Sequence, residues 1–531
     1  MGSDNYDSST KEDEDDVDDI KLTGCGALPC CDPRSAGHRF TVLIFICFLS
    51  FGSYFCFDNP AALQKQITTD MKVNTEKFML LYSLYSWPNV VLCFFGGFLL
   101  DKVFGIRLGT IIFGLFVCVG QVIFSLGAVF DSYTMMEAGR FVFGIGGESL
   151  AVAQNTYAVS WFKGAELNMV FGLQLSFSRV GSTVNMNVMG PMYKFLEKRI
   201  DKESYVILGW TLMVGFLFCL LSLFCSLAMA FFDKRAARIL KKQDAQTGEE
   251  IRITDVKDFP LSVWLIFIIC VTYYVAVFPF ISLGLVYFEA KYDLDASKAN
   301  IVNSLVYLIS AGASPILGLY VDKVGYNLYQ LIAAICMTIG AHAMLAFSTT
   351  ISPYIAMSVM GIGYSLLACA LWPLVAMIVP EYQLGTAYGF MQSIQNLGLA
   401  VVSIIAGSIV DNRGYLILEV FFLACLSLAL ISSILLYLSD LSSKSGLNLS
   451  AKVRKEAKSN AKTEINNVAS ENKPLLENYY TKPPQGTSSV NIQPRSAAAL
   501  RYQFIAKLGG PTVQMPETFR TSAFIFPHVL K

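Results

Sequence analysis

Apolar residues along this chain gather into long runs, separated by short polar stretches rich in Gly, Asp, Asn, Lys and Arg. A helix of about twenty apolar residues crosses roughly 30 Å of hydrocarbon. Runs of that length lie at about 40–60, 78–100, 108–130, 136–160, 167–192 and 205–232, and again at 260–287, 299–320, 328–347, 353–379, 384–409 and 415–438. The pattern predicts an all-α membrane protein with twelve transmembrane helices. It divides the chain into a six-helix bundle over 39–232, a hydrophilic connector over 233–259 and a second six-helix bundle over 260–440. Polar tails flank them. Residues 1–38 carry the acidic run KEDEDDVDD, and residues 441–531 are dominated by Ser, Asn, Lys and Pro, a composition that cannot bury a core.

Charge gives the orientation. The connector holds seven Lys/Arg, from Lys234 to Lys257. The positive-inside rule therefore places it in the cytosol, and an even number of spans brings both tails there. The loop between spans 5 and 6 dissents, with Lys194, Lys198, Arg199 and Lys202 on the far side. The basic loops after spans 2, 4 and 8 agree with the connector. Composition fits the same picture: 54% of residues are hydrophobic and 15% charged, so the solvent is largely lipid. A formal net charge of zero offers no basic field for nucleic acid. Of thirteen cysteines, ten lie inside apolar runs and read as small packing residues, while Cys25, Cys30 and Cys31 cluster just before span 1, a position that suits palmitoylation. No Cys/His spacing fits a metal, and no nucleotide loop or nucleophile triad occurs, so neither a cofactor nor an enzyme is expected.

The halves repeat. Shifting the sequence by 217 lays GIGGESLAVA (144–153) over GIGYSLLACA (361–370), and the register holds without a gap to Val184 over Val401, with 11 identities in 41 positions. GFLLDKVFG after span 2 is echoed by GLYVDKVG after span 8. Related halves with a binding site at midplane between them are the plan of a rocker-type transporter. The run GFLLDKVFGIR, with Asp101, Lys102 and Arg107, resembles the loop 2–3 signature of the major facilitator superfamily. GRFVFGIGG, with Arg140, Gly144 and Gly146, resembles its span-4 signature. Within that superfamily, residues 140–185 resemble the lysosomal dipeptide carriers. The resemblance implies a uniporter that releases dipeptides from the lysosome, accompanied by a heavily glycosylated single-span accessory membrane protein. Span 1 lacks the ExxER run of proton-coupled peptide carriers, and the N-terminal tail has no dileucine signal.

Charges inside lipid are costly and mark function by default. Apart from Glu137 at the very start of the fourth run and Asp58 near the end of the first, four lie within the spans. Arg140 and Glu419 fall near far-side helix ends, where snorkelling or headgroups would hydrate them. Glu148 and Arg179 are equidistant from the turn at Lys163–Gly164, about fifteen residues and so ~20 Å deep on neighbouring helices. An acid and a base at one depth suit a zwitterion, Glu148 for an α-ammonium and Arg179 for a carboxylate. The alternative is a buried ion pair that joins spans 4 and 5. The 217 shift maps them onto neutral Ser365 and Asn396, which argues against generic hairpin glue. Tyr273, Tyr274, Trp372, Gln395 and Asn396 lie near mid-span in the second half and could line a tolerant site, or simply pack. Asp101–Lys102 and Asp322–Lys323 fall where the superfamily's cytosolic gate lies, and Arg140 joins them as a gating candidate. His342 reads as a packed residue. In the C-terminal tail, Glu471, Leu475 and Leu476 form ENKPLL, which matches the acidic dileucine signal read by clathrin adaptors. Asn448 begins a formal sequon on the cytosolic side, and no far-side loop contains one.

The expected activity is facilitated export of dipeptides across the lysosomal membrane by alternating access, with dipeptides, the accessory glycoprotein, a clathrin adaptor and membrane lipid as partners. Two alternatives stand beside it: a carrier for another small organic solute such as an amino acid or monocarboxylate, and a non-transporting nutrient receptor.

Overall fold

The computed structural model describes residues 32–33, 35–98, 103–162, 165–240, 256–257, 259–379, 384–443 and 446–453. Twelve spans of helix are present among them. Span 1 is Ala36–Leu49 continued by Phe51–Phe57. It is followed on the far side by the short helices Asn59–Ala62 and Gln64–Asp70. Spans 2 to 6 are Thr75–Phe98, Gly105–Val129, Tyr133–Trp161, Ala165–Glu197 and Ser204–Leu240. Spans 7 to 12 are Leu261–Tyr292, Ala296–Val324, Asn327–Phe347, Pro353–Ile378, Leu384–Arg413 and Tyr415–Ser443. Ten of these are long and apolar enough to cross a membrane on composition alone. Spans 4 and 5 fall short of that because polar residues run through them: Arg140, Glu148, Gln154 and Asn155 in span 4, and Gln174, Arg179, Asn185 and Asn187 in span 5. Apolar side chains such as Ile316 (69% exposed) and Leu217 (62%) project outward. A belt of this kind is stable only against lipid.

Helices outrun the hydrophobic pattern where the polar residues are themselves good helix formers. Span 6 continues through DKRAARIL to Leu240, well into the stretch read as connector. The bridge from Arg107 to Asp233 (2.6 Å) fastens that extension to span 3. Hydropathy marks where lipid ends, and the backbone hydrogen bonds carry on.

Small residues set the helix spacing that places the site. Gly144 lets span 4 close on span 2: a Cβ there would lie 2.3 Å from the Tyr85 carbonyl oxygen. Close approach through glycine is the usual device where lipid gives helices no hydrophobic drive to associate. One turn further along span 4, that contact brings Glu148 to Tyr85.

The halves meet along spans 2 and 11, along spans 5 and 8, and where span 7 packs on the short helices Asn59–Ala62 and Gln64–Asp70. Most joining bonds lie on the far side. Asp411 accepts from the amides of Thr75 and Glu76 at 3.0 and 2.8 Å. Lys65 pairs with Glu289 at 3.1 Å, and Gln64 accepts from the Val286 amide at 3.2 Å. Asn187 donates to Ser304 at 3.0 Å, and Tyr307 to Asp58 at 3.2 Å. Toward the connector side, Gly389 of span 11 lies against Cys93 and Phe94 of span 2, and Ser176 of span 5 donates to the Ala311 carbonyl of span 8 at 2.8 Å. Among the described residues, the halves are thus joined most heavily on the far side.

Candidate functional site

Glu148 and Arg179 are each about 13–14 residues from the connector-side ends of spans 4 and 5, which sets them ~20 Å along their helices. No ion pair joins them among the described residues. Each instead reaches across to the second half. Glu148 accepts from the Tyr85 hydroxyl of its own half (3.2 Å) and from Gln392 Nε2 of span 11 (3.0 Å). Arg179 is buried and donates from Nη1 to the Ser314 hydroxyl of span 8 at 2.7 Å, with its guanidinium 5.0 Å from the Tyr364 ring centre of span 10. Tyr54 of span 1 lies within electrostatic reach of both charges and of Tyr364. An unpaired acid and an unpaired base therefore share the seam between the halves, each capped by neutral groups.

Aromatic side chains of the second half extend this seam. Trp372 donates from Nε1 to the Tyr274 hydroxyl (3.2 Å), and its carbonyl accepts from Tyr388 (3.0 Å). Tyr274 stacks on Phe278 and meets Tyr364 edge-on, with ring centres 5.6 and 6.2 Å apart. Of the other expected lining residues, Tyr273 and Gln395 face into the second half, while Asn396 stays at the seam. Tyr273 is fully buried and bonds Thr338 of span 9 at 2.8 Å, inside the second half. Gln395 Oε1 accepts from the Cys270 thiol of span 7 at 3.4 Å, and Asn396 bonds the Gln392 carbonyl (3.0 Å) while touching the Cys93 sulfur of span 2. Sequence reasoning did not single out Tyr85, Gln392, Ser314, Tyr364 or Tyr54. Gln392 is one turn from Asn396 on the same helix, so the polar stripe of span 11 was the available signal.

Residues 43–403 match the family model described as Major Facilitator Superfamily. The chain belongs to the major facilitator superfamily. It is 63% identical over 434 residues to the lysosomal dipeptide transporter MFSD1 of Homo sapiens, covering 82% of this chain and 93% of that one. It is also 62% identical over 442 residues to the lysosomal dipeptide transporter MFSD1 of Danio rerio, covering 83% and 95%. Among solved structures, the inward-facing and occupied bacterial homologue of the human lysosomal transporter Spinster has a TM-score of 0.55 at 13% identity, covering 76% of this chain and 97% of that one. The transporter FucP in its outward conformation has a TM-score of 0.52 at 14% identity, covering 75% and 99%. At such identities these structures speak for the shared fold alone.

Of the superfamily's loop signatures, Asp101 and Lys102 lie outside the described residues, as do Glu471, Leu475 and Leu476 of the tail signal. Asp322 and Lys323 are exposed at the connector-side end of span 8. Arg140 corrects the expectation of a hydrated helix end, and it sits on the opposite side of the membrane from those pairs. It is 0% exposed. Its Nη1 and Nη2 donate to the carbonyls of Cys56 (3.2 Å) and Phe57 (3.1 Å), and its Nε lies 3.5 Å from the Leu81 carbonyl. Phe57, Tyr82, Tyr85, Phe124 and Phe143 surround it with ring centres 5.4–5.7 Å away. Span 1 breaks at Asp58–Pro60; there Arg140 satisfies the Phe57 carbonyl, whose usual donor, the Ala61 amide, goes to the Tyr82 hydroxyl, and adds a second bond to the Cys56 carbonyl, which also accepts from the Asp58 amide. Glu419 is likewise buried rather than hydrated, bonded to His342 Nδ1 at 2.7 Å. His342 is packed between Phe280 and Phe422, but as half of a polar pair.

Proposed function

We propose that this chain is a lysosomal membrane carrier that exports dipeptides by facilitated, rocker-type alternating access. Its connector side faces the cytosol, and the far-side bonds described above then close the seam toward the lumen. One observation carries the proposal: Glu148 and Arg179 lie at similar depth in the seam, do not pair, and are capped by neutral side chains. A zwitterion supplies the two charges they lack. The α-ammonium goes to Glu148, and the carboxylate goes to the two-pronged guanidinium of Arg179. The groups at Tyr274, Trp372, Tyr364 and Tyr388 offer flat apolar faces with few obligatory hydrogen bonds, which tolerates varied side chains. The names of relatives 56–63% identical over about four-fifths of this chain support the same substrate class and compartment.

Two further parts belong to the proposal. A glycosylated single-span membrane protein covers the luminal loops, which have no sequon of their own. Glu471, Leu475 and Leu476 engage a clathrin adaptor. Reconstituted vesicles test transport itself: a labelled dipeptide is expected to equilibrate saturably without a proton gradient. Thermal stabilisation by dipeptide with no flux would make the chain a receptor instead.

A further inference from the structure

Both binding charges belong to the first half, and each has a neutral partner in the second. Glu148 is held by Gln392 at 3.0 Å and Arg179 by Ser314 at 2.7 Å. We propose that Gln392 and Ser314 are stand-ins for the substrate's two ends, holding the buried charges across the seam while the empty carrier reorients. This rests on the reading that Glu148 and Arg179 take the dipeptide termini.

The chemistry of each stand-in matches the group it would replace. The Gln392 amide offers N–H donors as an ammonium does, without the charge. The Ser314 hydroxyl offers an oxygen acceptor as a carboxylate does, again without the charge. Bonds between one ion and one neutral group are weaker than those between two ions, so an arriving dipeptide displaces both caps. In the absence of dipeptide, the caps spare two buried charges the penalty of having no partner. A uniporter needs this, because net transport returns it empty in every cycle. Tyr85 cannot serve in the same way, since it bonds Glu148 from within the first half and moves with it. A lysine at position 392 would be the wrong stand-in, as its ammonium would lock the seam against the ligand.

Two flux modes separate this role from substrate contact. Net efflux into dipeptide-free medium requires the empty return, whereas equilibrium exchange with dipeptide on both sides proceeds with the carrier loaded each way. The full chain is reconstituted and assayed with labelled alanyl-alanine. Gln392→Met, which keeps the volume and removes the donors, is expected to lower net efflux about tenfold more than exchange. Ser314→Ala should act in the same direction. Equal losses in both modes, or no loss in either, overturn the proposal. Glu148→Gln checks the underlying reading separately. It should lose both modes, and if both survive, the amine-site assignment fails whatever Gln392→Met does. If Glu148→Gln loses both and Gln392→Met keeps the wild-type ratio, only the stand-in role falls.

Discussion

Arg140→Met is the substitution whose consequences follow most directly from the packing. In the wild type, two charge-assisted bonds at 3.2 and 3.1 Å satisfy the Cys56 and Phe57 carbonyls where span 1 ends. Such bonds contribute about 1.5–3 kcal/mol each, so roughly 3–6 kcal/mol is lost with them. Methionine also removes the cost of burying a guanidinium, which offsets several kcal/mol. The Phe57 carbonyl is then left buried without a donor, and the net loss should be about 2–4 kcal/mol. Arg140→Lys should fall between, because one ammonium cannot reproduce the planar fork. Thermal unfolding in detergent reads the global effect, and amide exchange over 56–63 reads the local one. The expected order of stability is Arg, Lys, Met, with faster exchange at the break in span 1. If Arg140→Met is as stable as the wild type with unchanged exchange, Arg140 does not hold that break.

Three further outcomes follow from particular contacts. Gly325 adopts φ +77°, and a Cβ there would lie 2.4 Å from the Ala451 amide nitrogen, so Gly325→Ala should release residues 446–453 from the loop after span 8 and raise their amide exchange. Asp70, in the far-side helix Gln64–Asp70, accepts from Tyr193 at 2.7 Å, yet burial holds its carboxyl above the usual range. A raised folded value stabilises the protein below the ordinary carboxylate range and is lost as pH rises through the raised value, so Asp70→Asn should flatten the fall in melting temperature between acid and neutral pH. Changing Leu475 and Leu476 to Ala should move the protein from lysosomes to the plasma membrane, scored by microscopy. Unchanged lysosomal staining would assign sorting to another signal.

The spans were legible because lipid imposes one demand everywhere, a continuous apolar run, and twenty-residue runs are hard to mistake. Glu148 and Arg179 stood out for the converse reason, that a charge in such a run is costly. Their immediate surroundings were not legible. Gln392 and Ser314 are neutral and come from helices more than a hundred residues away, and nothing local separates them from packing residues. In span 11, Gln392, Gln395 and Asn396 fall within little more than one turn. Only the packing against span 7 turns Gln395 away from Glu148. Arg140 was misjudged because its depth was counted from a helix end, without the break in span 1 that gives its guanidinium two carbonyls. Glu419 was misjudged the same way, since its partner His342 is on another helix, 77 residues distant.

Most direct for the central claim is dipeptide affinity measured with each end blocked in turn, by calorimetry on purified wild type, Glu148→Gln and Arg179→Gln. In the wild type, N-acetylation and C-amidation should each weaken binding by more than about tenfold, the scale of removing one partner from a desolvated charge pair. Acetylation should make little further difference to Glu148→Gln, and amidation little to Arg179→Gln, so that each variant loses discrimination at one end only. Binding of free and N-acetylated dipeptide by Glu148→Gln with wild-type affinities would contradict the account.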